Sequence, residues 1–456
     1  MQKRGIVRWE REFTNRVLML AVPMILQAVV TALMHIIDNL MIGQLGQVEL
    51  AAVTQANRIT FLFQLTMFGT VGGVNVFVAQ YWGNRNLEGI HRAMAMGLRA
   101  ALIVASLFAI PALVIPEKLL GLLLTNQQAI ALGAQYLRIA AFTYYLVALS
   151  LVHSAVMKST EQAKLPMYAG IAAIITNTVL NWLLIFDHGF IGGYGVQGAA
   201  AATLIGTAVE LSILFFVGRR RKFATAIRWQ DLRIGVPGYA KKYFMIALPV
   251  MLNECFWSLG ITCYSAVYGR MGDGVSAVAA ISIFTNVEQL AMVTMRGMNY
   301  ACGVLIGIAV GRGDREEAML IANRMRVWTM ILLEISGLIM LCFAGNIVGM
   351  FNVEPETAQS ALRLLRVFAT FIWLQGLYTV TIVGILRAGG DVRFSAIMDV
   401  LPVWVVGVPL IALTGLVLKW PIHMVYIMTY MVKLLQAVVG HFRIRSGRWI
   451  KNVTIE

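Results

Sequence analysis

The chain has 456 residues, of which 59% are hydrophobic and 13% charged, and its mean hydropathy is +0.75. Soluble domains carry roughly 25% charged residues, so this composition excludes a water-soluble globular protein and places the chain in a bilayer. The formal net charge is +15, but the basic residues alternate between successive connections, which excludes a nucleic-acid surface and points to membrane topology.

Twelve apolar segments follow one another along the chain. The first six cover 16–42, 51–80, 91–115, 132–157, 165–187 and 195–217. The second six cover 241–268, 276–309, 320–345, 358–386, 394–418 and 421–442. Each exceeds the roughly 20 residues that a helix needs to cross the hydrocarbon core. The first is too long for the apolar core of a cleaved signal, and no small-residue cleavage site follows it.

Basic residues crowd one side of this alternation. The N-terminal stretch holds Lys3, Arg4, Arg8, Arg11 and Arg16. The connection after the sixth segment holds eight more, from Arg219 to Lys242, and the C-terminal stretch holds Arg443, Arg445, Arg448 and Lys451. The odd-numbered connections hold only Lys118, Arg270 and Lys419. Basic loops stay in the cytoplasm, so both termini are predicted there. The excess charge then meets anionic lipid headgroups.

The six-segment pattern occurs twice. Ala21-Val22-Pro23-Met24-Ile25-Leu26-Gln27, running on to Gly43-Gln44-Leu45-Gly46, is matched 226 positions later by Ala247-Leu248-Pro249-Val250-Met251-Leu252-Asn253 and Gly269-Arg270-Met271-Gly272. "FVAQYWGNRN" ending at Asn86 matches "IGIAVGRGD" ending at Asp314, and Lys158–Lys164 matches Arg387–Arg393. Six is an even number, so both copies enter the membrane in the same orientation. The expected fold is an all-α integral membrane protein of twelve transmembrane helices, in two six-helix lobes related by a pseudo-twofold axis along the membrane normal. The expected domains are an N-terminal lobe, 1–217, a basic cytoplasmic linker, 218–242, and a C-terminal lobe, 243–456. This is the architecture of a secondary transporter with its site between the halves.

Ionisable groups inside a bilayer are costly and mark functional sites by default. Here they include Asp38, His35, His153, Glu210, Glu254, Glu288, Arg296, Glu334, Asp399 and Lys433. Asp38 stands out, because Gln27, Thr31, Met34 and Asp38 fall on one helical stripe, with His35 at its edge. A polar stripe ending in a carboxylate reads as a cavity wall. Burial disfavours the charged form of a carboxylate, which suits a proton carrier. In the fifth segment Asn177 and Asn181 lie one turn apart, and two buried carboxamides need partners. They either reach Asp38 or join helices.

In the second half, Asn253, Glu254, Trp257 and Tyr264 share one broad side of the seventh segment. Asn253 is the repeat counterpart of Gln27, and Tyr264 that of Asp38, so the first-segment carboxylate exists in one half only. Glu254 beside Trp257 either attracts an organic cation through charge and ring face or makes a helix–helix hydrogen bond. Pro23 and Pro249 occupy matched positions, where proline bends a helix. Cys255, Cys263, Cys302 and Cys342 all fall in apolar segments without metal-ligand spacing and read as packing residues.

"AVPMILQAVVTALMHIIDNLMIGQLG", "VAQYWGNRN", "LNWLLIF" and "LRAGGDVRFS" resemble the multidrug and toxic compound extrusion (MATE) family, in its bacterial NorM-like and DinF-like branches, over about residues 14–440. The resemblance implies a cation-coupled antiporter that exports amphiphilic, mostly cationic compounds by alternating access of a V-shaped cavity. It implies that Asp38 is the coupling carboxylate, with Asn177 and Asn181 as its polar pair. Asn181 looks NorM-like, since the DinF-like branch usually has an aspartate there. Glu254 resembles the acidic residue of a C-lobe sodium site in NorM-like members. Its partner aspartate would fall near Gly376 and is absent, so coupling is expected at Asp38, by H+, Na+ or both.

No cofactor is expected beyond that ion, and the one metal considered is Na+ at Asp38. The expected partners are a small cationic substrate and membrane lipids, with no nucleic acid, and the protein is expected to be a monomer in the bacterial inner membrane. Two other classes compete. A flippase of the same superfamily, carrying a lipid-linked precursor, would need a cationic cavity, whereas the intramembrane charges here are mainly acidic. A membrane-embedded enzyme would need nucleophile–base or metal-ligand spacing, which His35, His153, Ser154 and Ser159 do not supply.

Overall fold

A computed structural model describes residues 2–189, 193–227, 238–271, 275–349 and 354–454, except for the side chains of 2–9, 35, 36, 275, 276, 278 and 290. The described chain is built of helices, with no β-strand. The first half contains α1 (Gln2–Gly43), α2 (Gln47–Gly83), α3 (Leu87–Val114), the short α4 (Pro116–Gly121), α5 (Gln127–Ser159), α6 (Lys164–Ile185) and α7 (Gly195–Arg220). The second contains α8 (Tyr239–Tyr268), α9 (Val275–Arg312), α10 (Arg315–Gly349), α11 (Pro355–Thr379), α12 (Val392–Pro402), α13 (Val408–Ala412) and α14 (Ile422–Arg445).

Among the described residues, twelve spans are long and apolar enough to cross a membrane. They match the twelve apolar segments one for one. Most helices overrun the apolar segment that announces them; α1 begins at Gln2 and α5 at Gln127. The apolar pattern marks only the hydrocarbon core, while backbone hydrogen bonding continues into the headgroup region. Helix starts are set by local chemistry. The Asn86 side chain accepts from Gly89 N at 2.8 Å and the Asn126 side chain from Ala129 N at 3.0 Å, each satisfying an orphan donor of the first turn.

Among the described residues, three stretches depart from α geometry. Val380–Leu386 continues α11 as π-helical turns, and Val403–Gly407 and Leu413–Val417 flank α13 in the same way. Pro402 stands immediately before the second stretch, where its missing N–H interrupts the ladder.

The duplication leaves a backbone signature. Arg85 (φ 58°) and Gly313 (φ 79°) are left-handed at matched positions, as are Glu161 (φ 63°) and Gly390 (φ 91°).

The chain forms two compact units, Leu26–Met251 in one and Met1–Ile25 with Leu252–Glu456 in the other. It passes from one unit to the other two residues beyond Pro23 in α1, and again two residues beyond Pro249 in α8. The units therefore exchange helix ends relative to a partition at residues 217 and 243. Of the expected linker, residues 228–237 lie outside the described residues. Cys302 is buried, whereas Cys342 is exposed on α10 and so is not a packing residue.

Within Leu26–Met251, aromatic and small residues bring the site-bearing helices together. Phe63 of α2 stacks on Tyr144 of α5 with centroids 4.7 Å apart. A Cβ on Gly206 of α7 would lie 2.9 Å from Ala173 O and 3.1 Å from Asn177 Cβ in α6. Glycine lets α7 close against α6 at the level of Asn177.

Candidate functional site

Asp38 lies on α1, five residues before the helix ends at Gly43. Its Oδ1 accepts a hydrogen bond from Asn181 Nδ2 at 2.6 Å. The same amide reaches Asn177 Oδ1 at 3.1 Å, and Asn177 Nδ2 donates to Thr203 Oγ1 of α7 at 3.1 Å. Turning the Asn177 amide keeps the Thr203 contact and directs a second N–H to Asp38 Oδ1 at 3.1 Å. Asn177 and Asn181 are both buried. Of the two uses open to them from sequence, they reach the carboxylate. A hydrogen bond to a charged group contributes roughly 1.5–3 kcal/mol, and here it also fixes the carboxylate against α6.

The other face of Asp38 opens on a cavity of about 910 Å³. Thr31 and Met34 line it as expected. The Thr31 hydroxyl is engaged by its own helix, donating to Gln27 O at 2.8 Å. Gln27 itself, expected in the cavity wall, is not part of the lining. It packs against Gly170, where an added Cβ would lie 3.0 Å from its Nε2. The side chain of His35 lies outside the described residues.

Sequence reasoning missed most of the polar lining, which comes from α2, α5 and α7. Asn57 accepts from Tyr136 OH at 3.2 Å, and the Thr60 and Tyr144 hydroxyls lie 3.1 Å apart. Thr54, Gln64, Thr143, Thr203 and Thr207 also line the wall. Threonine and tyrosine in membrane helices usually bond their own backbone or sit at interfaces, so only the helix arrangement reveals that these converge. Among the described lining residues, Asp38 is the sole acidic or basic side chain.

The second half holds a different polar cluster. Asn253 is buried on α8, and its Nδ2 donates to Asp399 Oδ2 of α12 at 3.0 Å. Tyr378 OH of α11 donates to the other oxygen of Asp399. Arg387 pairs with Glu254 Oε1 at 3.0 Å and donates to Asn253 Oδ1 at 2.7 Å. Glu254 is thus tied to a helix end by an ion pair, which favours the helix-joining reading over an open cation contact. Trp257 is exposed, and Tyr264 is buried with its hydroxyl against Gly407. Glu288 interacts with Lys433, whose ammonium lies 4.2 Å from the centre of the Tyr430 ring.

The MatE family model matches residues 23–183 and again residues 249–438. This chain belongs to the MatE family. The two matched stretches begin 226 positions apart, at the prolines that opened the internal repeat. The chain is 26% identical to a probable multidrug resistance protein NorM of Agrobacterium fabrum, over 89% of this chain and 88% of that protein. It is 25% identical to the multidrug resistance protein PmpM of Pseudomonas aeruginosa, covering 87% and 82% of the two chains. Among solved structures it matches an outward-facing conformation of a multidrug resistance MATE transporter with a TM-score of 0.85 at 20% identity, covering 95% and 96%. The fold of this MatE protein is that of a multi-pass, twelve-helix membrane transporter.

Proposed function

We propose that this protein is a secondary active antiporter that exports amphiphilic, mostly cationic compounds in exchange for H+ or Na+. The observation that carries the reading is Asp38, the one acidic or basic side chain among the described residues that line a cavity of about 910 Å³ in a membrane-embedded helical unit. A charge in that setting needs compensation. One carboxylate accepts either a proton or Na+ or balances an organic cation, and the alternatives exclude one another. Exchange follows from that exclusion, because loading the ion removes the negative charge that retains the substrate. Asn181 holds the carboxylate against α6, and Asn177 lies against the Asn181 amide.

The lining also supports a substrate class. Phe61 presents an exposed aromatic ring to an apolar body, the buried rings of Phe63, Tyr136 and Tyr144 are packed into the wall, and Asp38 supplies the counter-charge. A lipid-pyrophosphate cargo would call for lysine or arginine in the wall, and none is among its described residues. The names of the NorM and PmpM relatives point the same way. We infer coupling at Asp38, with the protein a monomer in a bacterial inner membrane.

Two expected outcomes test this reading. Purified protein in sealed proteoliposomes should drive efflux of a fluorescent organic cation when either a pH gradient or a sodium gradient is imposed alone. The gradient that drives it names the ion, and efflux unmoved by both removes the antiport reading. The second concerns orientation. Single cysteines at Glu49, Lys118 and Glu354 should react with an impermeant maleimide from outside the cell, and cysteines at Arg221 and Arg312 only after the membrane is opened. A mixed pattern would refute cytoplasmic termini.

A further inference from the structure

The chain ends its eleventh helix with an arginine whose guanidinium enters an acidic cluster. We propose that Arg387 is a tethered cation that permanently fills a carboxylate site of the C-terminal half, so that this half takes up no exchangeable ion. The guanidinium meets Glu254 Oε1 at 3.0 Å, Asn253 Oδ1 at 2.7 Å and Asp399 Oδ2 at 3.9 Å. Asp399 is only 4% exposed. Its carboxylate also accepts from Asn253 and Tyr378, so its polar atoms are satisfied by protein groups alone. A buried carboxylate requires such partners.

The neighbours of Arg387 on both sides hold it in place. Before it, the π-helical turns Val380–Leu386 shift the helical register and so set the direction in which the next side chain leaves. After it, the loop is clamped by the end of the chain. Trp449 is fully buried, and a Cβ on Gly389 would collide with its ring. Lys451 N donates to Gly389 O at 2.7 Å, and Gly390 pairs with Ile450 in an antiparallel bridge. Gly390 has φ +91°, and a Cβ there would strike Lys451 O. Asp391, 2% exposed, accepts from Arg443 Nε at 2.8 Å and from Lys451 Nζ. The loop carrying Arg387 is therefore anchored at three successive residues.

The first half shows that this arrangement is not a by-product of the repeat. The counterparts of Glu254 and Asp399 are Ala28 and Gly170, neither of which carries a charge. The counterpart of Arg387 is Lys158, which faces Glu210 instead. At these matched positions the two acids and the guanidinium occur together in the second half and not in the first. A site whose cation is covalently attached does not exchange it, because the local concentration of a tethered group exceeds that of any dissolved competitor.

The test is chemical rescue, read by thermal unfolding of the purified protein in detergent. Removing the guanidinium in Arg387→Ala leaves two carboxylates around a cavity of its shape. Methylguanidinium, kept far below denaturing concentrations and compared with potassium chloride at equal ionic strength, should raise the midpoint of Arg387→Ala by about 2 °C or more. The wild-type protein should not respond, and Arg387→Lys should respond less than Arg387→Ala. The triple variant Arg387→Ala, Glu254→Gln, Asp399→Asn has no charge to compensate and should be insensitive. A folded Arg387→Ala that methylguanidinium does not stabilise overturns the proposal, as does an equal response of the wild type. If Arg387→Ala fails to accumulate, the triple variant should restore accumulation, and its failure to do so also overturns the proposal. The readout is binding rather than transport, so it stands or falls separately from the antiport reading.

Discussion

Asp38→Asn is expected to abolish gradient-driven export of a cationic dye, down to the level of protein-free liposomes, while the protein still folds and reaches the membrane. The substitution keeps the side-chain volume and an oxygen that can accept from Asn181. It removes the one acidic or basic side chain among the described lining residues and with it the capacity to bind a proton there. Exchanging a charged acceptor for a neutral one at a single hydrogen bond changes stability by about 1 kcal/mol, and the asparagine no longer requires a buried charge to be solvated. Stability and function should therefore separate. Unfolding midpoints and expression should match the wild type, and counterflow in the absence of a gradient should weaken for cationic dyes more than for neutral ones. Wild-type efflux from a well-folded Asp38→Asn protein would remove Asp38 from the mechanism.

Trp449→Ala carries the largest expected effect on stability. Trp449 has no exposed surface although it lies beyond the end of α14, in a tail that composition alone would class as polar and loose. Its indole N–H donates to Ile444 O at 3.1 Å, and its ring fills the space that Gly389 leaves open. Truncating a buried tryptophan to alanine costs about 3–5 kcal/mol through lost burial and the cavity left behind. The tail should then detach, since its remaining ties are polar and near water. Two measurements check this, a lower unfolding midpoint in detergent and new trypsin cleavage at Arg448 and Lys451. A variant that keeps both the midpoint and the protection would show that the tail is held without the ring. Because the same tail clamps the loop of Arg387, a released tail should also make that guanidinium less well ordered.

The twelve spans, the duplication and the presence of an acid at position 38 within an apolar helix are all legible in the sequence. These are local or periodic properties. A run of about 20 apolar residues has few options in a bilayer other than a helix, because the backbone must satisfy its own hydrogen bonds there. The matched prolines at 23 and 249 are a matter of counting, and Asp38 declares itself because an acid in an apolar helix is expensive to keep. The pairing of Asp38 with Asn181 was legible as one of two options, since carboxamides a turn apart must bond to something.

The contacts between distant helices depend on packing. Arg387 and Glu254 are 133 positions apart, and Tyr136 meets Asn57 across 79. Such contacts depend on the rotation and height of one helix against another, and a shift of a single residue turns a side chain by roughly 100°. The π-helical turns before Arg387 make a shift of this kind, and no hydrophobic pattern reports it. For the same reason Gln27 shares the Asp38 stripe in sequence yet faces Gly170, outside the cavity. A stripe on a helix is about as wide as a neighbouring helix, so packing decides which of its residues meets the cavity and which is covered.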